Sequence, residues 1–110
     1  MATPLPIDKI KSIAQDQFGT MVKAVVDIER RIMAIGGEMH ADEEDHLLSE
    51  GSKPENLWGI NIYPGLDKEN RIEFDSMINI RPAVQNRSRN VENPETRNKI
   101  TEIVHRLLVE

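Results

Sequence analysis

The sequence predicts an α+β fold: a mostly antiparallel sheet of about four strands with helices packed on one face. Three observations carry that reading. Period-two runs of β-branched and apolar residues recur at MVKAVVDI, LWGINIYP and RIEFDSMINI, which is the spacing of half-buried strands. Segments of helical periodicity stand before, between and after these strands, which fall in hairpin-like pairs, and that order reads as α+β. The 110 residues contain no cysteine, so a single domain over residues 1–110 closes its core by packing alone, without disulfides or thiolate metal ligands.

The first element is a helix from about Pro6 to Phe18. Ile7, Ile10, Ile13, Ala14 and Phe18 fall near helical spacing, Pro6 suits a first helical position, and Gly19 suits a stop. Two strands follow. In the first, Val22, Ala24, Val26 and Ile28 share one face and Lys23, Val25, Asp27 and Glu29 the other. A tight turn near Glu29 to Arg31 leads to the second, in which Met33, Ile35, Gly37 and Met39 alternate with Ile32, Ala34, Gly36, Glu38 and His40. A single helix from Met21 to Ile35 is the competing reading, since that span has neither Gly nor Pro. Asp42 then caps a short helix from Glu43 to Ser49 that ends at Gly51.

The third strand, Leu57 to Tyr63, places Trp58, Ile60 and Ile62 on one face and Leu57, Gly59, Asn61 and Tyr63 on the other, and Pro64 closes it. The fourth, over RIEFDSMINIRP, sets Ile72, Phe74, Ser76, Ile78 and Ile80 against Glu73, Asp75, Met77, Asn79 and Arg81. The last helix has the clearest start: Asn93 as cap, Pro94 at the first helical position, then an apolar stripe of Ile100, Ile103, Val104, Leu107 and Leu108.

Charge narrows the function classes. The net charge is −5, with 7 basic and 13 acidic residues in positions 1–70 but 7 basic and 6 acidic in positions 71–110. Overall acidity argues against general nucleic-acid binding, which needs many cations to neutralise phosphates. A local basic patch in the last third stays open. No apolar run is long enough for a membrane span, and MATPLPIDKIK lacks the apolar core of a secretory signal, so a cytoplasmic protein with no membrane partner is expected.

Opposite the apolar faces, Glu38, His40, Asn61, Tyr63, Glu73, Asp75, Asn79 and Arg81 would share a polar sheet face if the strands are neighbours in register. Two constellations stand out. In IGGEMHADEEDH, the residues Glu38, His40 and Asp42 fall at i, i+2 and i+4; on an extended chain they offer one imidazole and two carboxylates to a divalent cation such as zinc, manganese or iron. No HExxH or HxH spacing is present, and a capped acidic helix explains the same residues without a metal. The cofactor is therefore open. His46 and His105 read as surface or boundary histidines.

The second constellation gathers Arg81, Asn86, Arg87, Ser88 and Arg89, with Arg97 beyond, ahead of a helix N-terminus. Guanidinium forks, hydroxyls and free amides are the parts of anion sites. A solvated arginine-bearing loop reads equally well, and no GxxxxGK[ST] cradle is present. No serine stands in a GxSxG elbow, and the carboxylate pair Glu73 and Asp75 reads first as a solvated strand face.

With IGGEMHADEEDHLLSEGS, LWGINIYP, FDSMINIRP and NRSRNVENPETRNKI as landmarks, the chain resembles a family of small prokaryotic proteins catalogued as a domain of unknown function. The resemblance covers nearly everything from Met21 to Leu108. It implies a single-domain protein of this size and no activity, so no catalytic residue follows from it.

Two function classes remain. One is a small binding or regulatory module that recognises a small anionic ligand or a protein partner through the polar sheet face and the arginine loop, with Asn61, Asn79, Arg81, Asn86, Arg87, Ser88 and Arg89 as candidate ligand-binding residues. The other is a small metal-dependent hydrolase using Glu38, His40 and Asp42. An exposed strand edge leaves a homodimer by sheet extension open as well.

Overall fold

The computed structural model describes all of residues 1–110. Its elements run β1 (Leu5–Pro6), α1 (Ile7–Asp16), β2 (Val22–Asp27), β3 (Ile32–Ile35), α2 (His40–Ser49), β4 (Leu57–Ile62), β5 (Ile72–Glu73), α3 (Pro94–Leu107) and β6 (Leu108–Val109). The predicted α+β class is observed. A four-stranded antiparallel sheet has the order β3-β2-β4-β5, and β1 and β6 form a separate two-stranded parallel pair.

The strand pair read from MVKAVVDIERRIMAI forms because Asp27 organises the turn. Its Oδ1 accepts from the N–H groups of Glu29 and Arg30, both at 2.9 Å, and Arg31 takes a left-handed φ of 57°. No helix runs through Met21 to Ile35. The alternation in β2 and β4 is the predicted one. Val22, Ala24 and Val26 join Trp58, Ile60 and Ile62 in a core with Ile7, Ile10 and Ala14 of α1 and Ile100, Ile103, Val104 and Leu107 of α3.

Helices on one face describes α1 and α3. The third helix, α2, covers the other face, where Leu47 packs with Val25 and Leu57. The physical reason lies in β2: Val25 points away from the main core, is fully buried, and needs an apolar cover of its own.

Two boundaries differ from expectation. The second strand stops at Ile35, because Gly36 adopts φ +85°, a conformation that only glycine takes without strain. The helix then begins at His40 with Met39 in the cap position, so Asp42 lies inside the first turn and caps nothing. The fourth strand is only two residues long. Beyond it Ser76 caps a 3-10 turn at Met77–Asn79 by accepting from the Ile78 N–H at 3.3 Å.

Asn79 replaces the missing rung. Its buried side-chain amide accepts from the Gly59 N–H at 2.8 Å and donates to the Gly59 carbonyl at 2.9 Å, satisfying the edge of β4 as a strand residue would. Ile72 and Phe74 therefore pack on the main core while Ile78 packs beside Val25 and Leu57, so one face does not hold through this segment.

Candidate functional site

Register puts three polar side chains in a row. Lys23 of β2 is the cross-strand partner of Asn61 in β4, and Asn61 is the partner of Glu73 in β5. Residues directly opposite share a sheet face. His40, at the first position of α2, Tyr63, Asp75 and Ser76, and Arg89, from the loop before α3, add to the polar lining of a cleft of about 450 Å³ over this row.

Much of the cleft is fixed by its own hydrogen bonds. Asn61 Nδ2 donates to Glu73 Oε1 at 2.8 Å and to the Asp75 carbonyl at 3.3 Å, and Tyr63 Oη donates to the same Glu73 oxygen at 3.2 Å. Burial and the neighbouring Glu73 carboxylate push the Tyr63 phenol up, which keeps it a donor. Arg89 Nε is paired with Asp75 Oδ1 at 2.6 Å. Lys23 is in none of the ion pairs of the molecule; its ammonium stands 5.1 Å from the centroid of the Phe18 ring.

His40 is set by backbone. Its Nε2 lies 2.7 Å from the Ile60 carbonyl oxygen, and a carbonyl can only accept, so Nε2 carries the proton and Nδ1 keeps its lone pair. Burial holds the imidazole below the ordinary histidine range. The Lys23 and Arg89 charges act the same way, against the pull of the Ile60 carbonyl and Asp75. Near neutral pH the ring is uncharged.

Of the residues singled out in the sequence, Asn61, Tyr63, Glu73, Asp75, His40 and Arg89 meet in this cleft. The others do not. Glu38 is exposed in the bend before α2, and Asp42 lines a different hollow beside Gly37 and His46. Glu38, His40 and Asp42 do not converge, and no three His, Asp or Glu side chains anywhere in the molecule are placed to hold a metal ion.

The arginine loop is held together by the groups that made it look like an anion site. Glu92 Oε2 accepts from the Arg87 N–H at 2.9 Å and from Ser88 Oγ at 2.8 Å. The cradle exists, and the chain's own carboxylate fills it; these two bonds hold Glu92 below the usual carboxylate range. Asn86 is buried and donates to the Asn79, Ser88 and Asn90 carbonyls. Arg81 stacks on Trp58 at 4.5 Å from the ring centroid and donates to the carbonyls of Pro54 and Leu57. Asn79, Arg81 and Asn86 therefore hold the fold.

Lys23 was not among the sequence candidates. It is the one charged residue inside the apolar run MVKAVV, and pairing MVKAVVD against LWGINIY antiparallel would have set it opposite Asn61.

A family model of proteins of unknown function (DUF5674) matches residues 1–107. The chain belongs to this family. No curated protein and no solved structure matches it. The family is one of unknown function, and no helix here is long and apolar enough to cross a membrane.

Proposed function

We propose that the chain is a small binding module that recognises a small anionic ligand in the cleft between β4, β5 and the start of α2. The observation that carries this reading is Lys23, a cation of the lining that stands outside every ion pair. Asp75 is paired with Arg89, and Glu73 keeps its charge but is tied into the floor through one oxygen by Asn61 and Tyr63. A cation at the edge of a hydrogen-bonded floor favours an anion over a neutral guest. The polar sheet face and Arg89 thus serve one site, and the rest of the arginine loop serves its own folding. A cytoplasmic setting suits a chain without cysteine.

A metal-dependent hydrolase on Glu38, His40 and Asp42 gains no support, because those side chains lie apart. The test is an NMR titration of the full chain with acetate and with inorganic phosphate at constant ionic strength. Saturable shifts at Lys23, His40 and Asn61 that weaken about tenfold or more in a Lys23→Gln variant support the reading. Shifts that track ionic strength alone, or that survive in the variant, overturn it.

A further inference from the structure

The cleft has a second character besides its charges. Met21, Met39, Met77 and Ile78 also line it, and Met77 and Met39, at 66 % and 56 % exposure, are the two most exposed large apolar side chains in the molecule. They come from different elements: Met39 occupies the cap position of α2, and Met77 opens the 3-10 turn that packs near α2. Leaving thioethers in water beside a polar floor is unfavourable unless something apolar covers them. Methionine is also the side chain that best adapts to a guest of varied shape.

We infer that the ligand is an amphiphilic anion, a carboxylate head on a short apolar body, with the head toward Lys23 and the body against Met39, Met77 and Ile78. This rests on the anion reading above and adds the apolar half of the ligand. A small guest fits better than a flat partner surface, because the site is a half-open cleft of about 450 Å³, within the range of small-molecule sites. Its floor is set by hydrogen bonds among Asn61, Tyr63 and Glu73 rather than by an open apolar patch.

Isotope-labelled full-length chain titrated with acetate, hexanoate and hexylammonium separates the two halves of the ligand. Hexanoate is expected to bind about tenfold or more tighter than acetate, since each buried methylene adds to affinity, and about tenfold or more tighter than hexylammonium. Met77→Ser, at an exposed position that leaves the core untouched, should bring hexanoate down toward acetate while acetate is unchanged. Equal binding of acetate and hexanoate overturns the amphiphile and leaves the anion reading standing. Equal binding of hexanoate and hexylammonium overturns the anion reading, and the inference with it. Shifts at Met39 and Met77 that depend on protein concentration and not on added ligand would mean that a second copy of the chain covers the rim, which also overturns the proposal.

Discussion

Glu43 accepts a hydrogen bond from the Gly37 N–H at 3.1 Å, and its other oxygen is buried without a partner. The approach is tight enough that a Cβ on Gly37 would stand 2.6 Å from the Glu43 Cγ. Burial is the main cause that pushes this carboxyl up to about 8, with Asp42 adding to it and Lys23 and the Gly37 N–H opposing. In the unfolded chain the group ionises near 4.5. The fold therefore holds a proton that the unfolded chain releases. Its contribution is complete below the unfolded value and is lost as pH rises through about 8. At about 1.4 kcal/mol per pH unit the window spans on the order of 5 kcal/mol. Urea denaturation from about pH 5 to about pH 9 should show wild-type stability falling across this range, and a Glu43→Gln variant should flatten the curve. A wild-type curve already flat there would show that Glu43 is ionised in the fold.

Gly59 has no room for a side chain. A Cβ there would lie 2.6 Å from both Cβ and Oγ of Ser76 and 3.0 Å from Cγ1 of Ile78. Gly59→Ala should cost about 1–3 kcal/mol by overpacking. Asn79→Ala, which strips both partners from the Gly59 backbone, should cost about 2–3 kcal/mol. Chemical denaturation measures both, and a neutral Asn79→Ala would mean that water replaces the amide without loss.

The His40 ring offers a spectroscopic check. Nitrogen-15 spectra should show the proton on Nε2, and the titration midpoint should lie below the ordinary 6.5. Because the folded value is depressed, the associated stability is present above 6.5 and is lost as pH falls through the folded value. A midpoint above 6.5 would remove the neutral imidazole from the cleft.

Leu107 is fully buried on α3 against the sheet. Leu107→Ala should destabilise by about 2–5 kcal/mol through the cavity it leaves. Thermal unfolding unchanged from wild type would mean that α3 is not docked through this residue.

What the sequence made legible follows the reach of its signals. The core-facing residues of β2 and β4 recur at every second position, and α3 carries a cap, a proline and an apolar stripe, so period and local chemistry name them. The true starts and stops of α2 and β5 depend on side chains acting at a distance. Glu43 reaches back to Gly37, and Asn79 reaches across to Gly59 twenty positions away; neither contact leaves a periodic trace. Half of the site was legible for the same reason. Asn61, Tyr63 and Glu73 follow from alternation, whereas the anion cradle of the arginine loop looked free because nothing in NRSRNVEN shows that Glu92 turns back into it.

The Asn79 amide also bears on how the chain meets other chains. Where β5 ends, β4 presents a side chain instead of open peptide groups, and on the far edge the Met33 backbone is engaged by the Met1 carbonyl at 3.1 Å and by the Met1 ammonium. A strand arriving from another molecule would find two residues of β5 to grip, or would first have to evict Met1 from β3. Both edges of the four-stranded sheet are thus short or occupied within the chain itself, leaving few open peptide groups of the kind that template strand addition.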